Sequence, residues 1–303
     1  MEIVTNKETG IGVAAPKKSL SPWAIARKKF LANKLAMTSL VFLLAVTIIS
    51  ILAPYITTVD ITRVNIGEMS LKPSGEHWLG TDKSGRDVFT RLLYGGRVSL
   101  LVGISCTIFV ITLGTIVGAI AGYFGGTIDS MLMRFTDFVL NFPFIVFVIV
   151  LSTILKDKVS GVLVLILVIS FLQWGGVARI VRSKIMAEKE NEYIIAAVSI
   201  GCSPLKVIVK HLLPNVLSTI IVQATILFAT MIVAESGLSY LGFGVPQEVP
   251  SWGNMLSSAN EPDVLQGKGW IWIPPALIIT LTILSINFIG EGLKDAFNPK
   301  SRR

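Results

Sequence analysis

Two histidines, His77 and His211, and two cysteines, Cys106 and Cys202, are the residues of this sequence best suited to hold a metal or to serve as base and nucleophile. None has a partner at ligand or catalytic spacing. The histidines are far apart, Cys106 sits in an apolar run, and Cys202 has no Cys or His nearby. A phosphate-cradling G-x-x-x-x-G-K-[ST] loop, a zinc-binding H-E-x-x-H and a G-x-S-x-G nucleophile turn are all missing. The sequence therefore points to no catalytic residue, no metal site and no cofactor within the chain. Its most distinctive chemistry is that of contact. Between two strongly apolar stretches lies Glu188 to Pro214, EKENEYIIAAVSIGCSPLKVIVKHLLP, a segment too polar to cross a bilayer. Glu188, Glu190 and Glu192 stand near the start of a predicted helix, where its dipole favours acids, and Ile194, Ala197, Val198 and Gly201 fall at helical spacing. Gly201 is placed to end that helix in a left-handed turn, and Ser203 and Pro204 read as the N-cap and first residue of a second helix running to about Leu213. The small residues Ala196, Ala197 and Gly201 keep the surface low, which suits either a second protein docking there or close packing on the chain's own helices.

The remainder of the chain says where such a segment would sit. Of its 303 residues, 52% are hydrophobic and only 15% charged, and the mean hydropathy is +0.71. That is far from a soluble domain, and the expected fold is an all-α polytopic membrane protein with six spans. Residues 1–34 read as a polar and then basic tail rather than a cleaved leader, because the apolar run that follows, Leu35 to about Ile56, has bilayer length. Thr57 to Arg97 has turn signals at Pro73, Gly75, Gly80, Gly85 and the pair Gly95-Gly96. Within it, Asp82, Arg86 and Asp87 read as a local hydrogen-bonded turn, and Asp87 to Tyr94 as a short helix along the membrane surface.

Val98 to about Gly122 is the second predicted span. Its Gly114, Gly118 and Gly122, with Gly126 beyond, recur every four residues and make a groove for a neighbouring helix. The third span runs from about Phe138 to Leu155 with Asp137 at its cytoplasmic end, and Lys156 to Lys158 form a hydrophilic tip. Val159 to about Trp174 is the fourth span, extending to Val177 because Gly175 and Gly176 do not stop a packed membrane helix, and Val216 to about Val233 is the fifth, ending near Glu235. Ser236 to Trp270 is an irregular connection, and Ile271 to Ile289 the sixth span. The organisation expected is thus a tail (1–34), a first span with its external segment (35–97), a transmembrane domain (98–290) containing the 188–214 loop, and a basic tail (291–303). Placing both termini inside puts eighteen of the 27 Lys and Arg residues on inner segments and nine outside, the sense of the positive-inside rule. This accounts for the net charge of +8 without nucleic acid as a partner.

Ala196, Ala197, Gly201, Leu213 and Pro214 resemble the cytoplasmic loop motif of ATP-binding cassette importer permeases: Glu-Ala-Ala, three residues, Gly, nine residues, Ile, one residue, Leu-Pro. Ile195 stands in place of the motif's Glu and His211 in place of its Ile. HWLGTDKSGRDVFTRLLYGGRVSL (His77 to Leu100) and AESGLSYLGFGVPQEVPSWGNML (Ala234 to Leu256) are similar to the branch that imports peptides and nickel, in its second-type membrane subunit. The resemblance implies a type I importer bundle in the bacterial inner membrane, acting by alternating access. It also implies a second homologous permease, two cytoplasmic ATPase subunits that bind ATP and Mg, and an extracellular substrate-binding protein as partners. Glu192, Tyr193, Ala196, Ala197, Gly201, Ser203, Pro204, Leu213 and Pro214 would then form the ATPase-docking loop. Peptides are preferred to nickel because the spans lack a cluster of His, Cys or acidic residues to guide a metal. A channel or ion-driven secondary transporter, the competing class, calls for ionisable residues near the middle of spans or inverted repeats, and neither is evident.

Overall fold

The computed structural model describes residues 21–62, 64–155 and 160–298. The predicted tip at Lys156 to Lys158, most of the N-terminal tail and the end of the basic C-terminal tail lie outside them. Apart from one isolated bridge between Thr81 and Asp87, all regular structure among the described residues is helical. Among the described residues five helices are long and apolar enough to cross a membrane, or six if one bent pair counts as a single span.

The end of the predicted N-terminal tail is helical. Ser21 begins α1 (Pro22–Ala32) by accepting from Ala24 N, and Asn33 both ends it and caps α2 (Lys34–Ile51), its side-chain oxygen accepting from Ala36 N at 3.1 Å. The first span is therefore shorter than expected, and α3 (Ala53–Ile56) is a separate turn after Leu52. Residues beyond it fold over one end of the bundle. There the expected Asp82 turn forms: Oδ1 accepts from Ser84 N and Arg86 N at 2.8 and 3.0 Å, and Oδ2 from Arg86 Nε at 2.8 Å.

Asp87 does not start a separate surface helix. It caps α4 (Val88–Phe124), accepting from Thr90 N at 2.7 Å, and α4 runs unbroken through Gly95 and Gly96. This glycine pair is no turn. A Cβ on Gly96 would stand 2.8 Å from the Trp252 ring and closer still to Ser50 Oγ of α2, so the residue is small because both lie against it.

The third span is broken. α5 (Gly126–Leu140) and α6 (Phe144–Leu155) meet at 79° across Asn141 to Pro143, where proline has no N–H to continue the ladder. α7 (Gly161–Lys189) lies beside α4, running in the same direction, along the glycine groove. A Cβ on Gly114 would stand 2.6 Å from Val177 Cβ, on Gly118 2.5 Å from Ala178 O, and on Gly122 2.8 Å from Arg182 O. Gly126 is not part of this seam: its φ is +54° and nothing lies within 4 Å. Polar groups in α5 are paired with α7. Asp129 accepts from both Nε and Nη2 of Arg182, and Asp137 from Arg179 Nη2 at 2.6 Å, which removes the cost of leaving either charge alone in a span.

After the polar loop, whose first helix is α8 (Glu192–Ser199), α9 (Pro204–Val207), a π-turn over Ile208–Leu212 and α10 (Leu213–Tyr240) form one continuous apolar helix. The predicted short helix ending at Leu213 is in fact the first part of the long helix that carries the fifth span, because the π-turn carries the chain past Pro214 without a break. Glu235 accordingly lies inside α10, five residues before its last residue, Tyr240. α11 (Trp252–Leu256) and α12 (Pro262–Gly267) interrupt the irregular connection, and α13 (Gly269–Phe297) closes the bundle, its Phe297 ring edge-on to Trp23 at 5.2 Å.

Candidate docking site

The loop between α7 and α10 is built by local chemistry. α7 runs on to Lys189, so Glu188 belongs to its last turn, Glu190 is its C-cap, and only Glu192 stands in the first turn of α8. At the other end of α8, Gly201 has φ +83°. Gly201 N donates to Val198 O at 2.9 Å and Cys202 N to Ala197 O at 3.1 Å, the paired bonds of a Schellman motif, for which glycine is suited because no Cβ resists the left-handed conformation. Ser203 precedes α9 without a side-chain cap bond, and Pro204 is in its first turn.

Tyr193 closes the loop on the bundle. Its hydroxyl donates to the Glu188 carboxylate and accepts from Asn215 Nδ2 at 2.9 Å, while the same Asn215 Nδ2 donates to His211 O at 2.6 Å. Partial burial, with Glu188 alongside, pushes the phenol up to about 12. Because the shift is upward, the hydroxyl keeps its proton across the physiological range and its bond to Glu188 is lost only as pH rises through that value. Lys189 Nζ, donating to Tyr123 O at 2.8 Å, ties the end of α7 to α4.

Burial sorts the predicted contact residues. Ile194 and Ala197 face the bundle, Ala197 only 6% exposed, together with Val207, Ile208 and Leu212. Ala197 is therefore packed on the chain's own helices, the second of the two readings its size allowed, and is not part of an open surface. A helix of two turns has one inward face, and Ala197, three residues after Ile194, lies on it. Ala196, Gly201, Ser203, Pro204 and Pro214 are exposed, Leu213 half-buried. The outer rim is made chiefly by two residues that spacing did not single out, Ile200 at 81% exposed and Leu205 at 72%, with Ile195 and Val198 beside them. Between this helix and the end of α4 lies a cleft of about 370 Å³ lined by Tyr123, Phe124, Lys189, Ile194, Ile195, Val198 and Ser199. Apolar side chains on an otherwise polar connection, held on a rigid platform, are what a protein contact uses.

Other residues with chemical potential are engaged elsewhere. His77 Nδ1 lies 3.0 Å from Asp87 Oδ2, at the end of the bundle opposite the loop, and Nε2 is 3.6 Å from Glu68. Cys106 is buried and Cys202 half-buried, both free thiols. No group of three or more His, Cys, Asp or Glu side chains among the described residues is arranged to hold a metal. Sequence reasoning missed the fully buried Glu235, surrounded by Ser99, Ser236 and Ser239. The one available signal was the i, i+4 spacing of Glu235 and Ser239 within an apolar helix.

Long apolar helices, a glycine-packed central helix pair and a short loop with an apolar rim define a membrane-embedded helical protein. The chain belongs to the family described as the binding-protein-dependent transport system inner membrane component, which residues 114–303 match. Residues 21–73 match the N-terminal TM domain of oligopeptide transport permease C. It is 38% identical to the dipeptide transport system permease protein DppC of Bacillus subtilis over 301 residues, 99% of this chain and 93% of that one. It is 39% identical to the oligopeptide transport system permease protein OppC of Haemophilus influenzae over 284 residues, 93% and 90% of the two chains. Among solved structures it is similar in fold to a chain of the MetNI methionine ABC transporter in inward-facing conformations. The TM-score is 0.56 at 17% identity, covering 69% of this chain and 96% of that one.

Proposed function

We propose that this chain is a pore-forming subunit of an ATP-driven importer of di- or oligopeptides, and that Glu188 to Pro214 is where partner ATPases dock. ATP and Mg are held by those partners. A second homologous permease completes the pore, and an external binding protein delivers substrate. ATP-driven approach of the two ATPases moves the loop, and through α7 and α10, whose ends it joins, tilts the bundle between inward- and outward-facing states. The observation that carries the docking assignment is the exposed rim of Ile195, Val198, Ile200 and Leu205 on a turn fixed by Gly201 and braced by Tyr193. The peptide assignment follows the full-length likeness to permeases of dipeptide and oligopeptide systems.

Uptake by a strain lacking this chain, supplied with its binding protein and given either short peptides or nickel, tests the substrate. Peptide uptake is expected to fall to background and nickel uptake to stay unchanged; the reverse would replace the peptide assignment with a nickel one. Orientation has its own test. After Cys106 and Cys202 are replaced, single cysteines at Ser74 and Glu248, both exposed, are expected to react with an impermeant thiol reagent from outside the cell membrane. One at the exposed Ser199 should react only after permeabilisation, and labelling of position 199 from outside would put the docking loop on the wrong side.

A further inference from the structure

Glu235 is fully buried in α10, and no cation pairs with it among the described residues. Its two carboxylate oxygens lead to the two ends of one loop. Oε2 accepts from Ser99 Oγ of α4 at 2.8 Å, and that same Ser99 Oγ accepts the backbone N–H of Trp252, the first residue of α11, at 3.1 Å. Oε1 accepts from Ser239 Oγ, one turn further along α10, at 2.8 Å, and Ser239 Oγ accepts the backbone N–H of Val245 at 3.0 Å. Ser236 Oγ adds a longer bond to Oε2 at 3.4 Å, and the Ser251 hydroxyl, next to Trp252, also lies against the carboxylate. Each of the two relay serines is donor on one side and acceptor on the other. A single carboxylate thereby holds both Val245 and Trp252.

The loop between these two points shapes the end of the bundle opposite the docking site. It borders a cavity of about 340 Å³ shared with Asp82, Arg86, Arg91 and Ser257, and a second of about 350 Å³ shared with Ser152 and Gly161. Midway, Gln247 O accepts from Arg86 Nη1 at 3.5 Å and Arg91 Nη2 at 3.3 Å, linking the loop to the residue pair that brackets the start of α4. A carboxylate buried in a span costs more than an apolar side chain of equal size. What it supplies here, and an apolar side chain does not, is a pair of strong acceptors for two hydroxyls that each hold a backbone N–H.

We propose that Glu235 is the positioning residue for the 245–252 loop, and that through this loop it sets the shape of the entrance by which peptide reaches the pore. The entrance role rests on the importer reading above, whereas the anchoring of the loop does not.

The test uses the assembled complex in lipid nanodiscs, with Cys106 and Cys202 replaced and a single cysteine at Val245 or Met255, both buried. With Glu235 present, a water-soluble maleimide should label neither. Ser239→Ala is expected to raise labelling at 245 roughly ten-fold and leave 255 alone, and Ser99→Ala to do the opposite, since each removes one buried hydrogen-bonded arm. Glu235→Leu, apolar and of similar size, should raise both and increase the apparent KM for peptide uptake at normal membrane abundance. Glu235→Gln keeps a polar group on each arm and is expected to restore low labelling and a KM near that of the unmodified chain. If Glu235 only fills space, Glu235→Leu labels like the unmodified chain, and the anchoring proposal is overturned. Equal rises at both positions in each serine variant overturn it too, and this pair decides the matter if Glu235→Leu does not reach the membrane. Anchoring as expected with an unchanged KM refutes the entrance role. Failure of the unmodified chain to take up peptide would count instead against the importer reading.

Discussion

Ile200→Glu is expected to leave the subunit in the membrane at normal abundance while abolishing both ATPase co-purification and peptide uptake. Ile200 is almost wholly exposed in the isolated chain, and a surface substitution of this kind changes stability by about 0.5 kcal/mol or less. Within a docked interface the same carboxylate is buried without a partner. That costs roughly 3 kcal/mol or more, over a hundredfold in affinity. Leu205→Glu should behave alike, and Ile200→Val should do little. Gly201→Asp is a less clean probe: there is open space around Gly201, yet its φ of +83° strains any residue with a Cβ. Ala197→Glu reports something different. Its site faces the bundle, so the charge is buried within the chain itself and abundance should fall before any selective loss of the ATPase. Membrane level and ATPase pull-down measured on the same samples separate these outcomes, and full uptake by Ile200→Glu would remove the loop from the coupling path.

Gly118→Leu is expected to remove the protein from the membrane altogether. Its Cβ would enter 2.5 Å from the Ala178 carbonyl and 2.9 Å from Val181 Cβ. Neither neighbour is the free end of a flexible side chain, so α4 and α7 must separate. Overpacking at such a point costs roughly 3 kcal/mol, and the helices lose the close backbone approach that small residues permit in lipid, where no hydrophobic drive replaces it. Gly176→Leu is the matched control. It lies in α7, one residue from Val177 in the same helix pair, but nothing stands within 4 Å of its Cβ position. Equal abundance of the two variants, compared by immunoblot of membrane fractions, would show that the seam does not hold the bundle together.

These expectations divide along the same line as what was readable in the amino-acid order. The all-helical membrane class, the turn at Asp82, the groove of Gly114, Gly118 and Gly122 and the helix stop at Gly201 all follow from hydropathy or from groups a few residues apart, so the sequence alone determined them. A left-handed glycine with its two Schellman bonds needs no distant partner, and an apolar run of bilayer length needs only its own composition. Other features required the third dimension. Gly95 and Gly96 carry turn chemistry by type, yet sit mid-helix because Trp252 arrives from a distant segment. The helix from Pro204 reads as ending near Leu213, yet the π-turn carries it on through Pro214 as one helix to Tyr240. Ala196 and Ala197 are the same residue type, and only the seating of α8 on the bundle turns one outward and the other in. Glu235 is the clearest case. Nothing within its own helix says that its second oxygen meets Ser99, since that contact exists only once α4 and α10 have packed and burial has left the carboxylate no water to turn to.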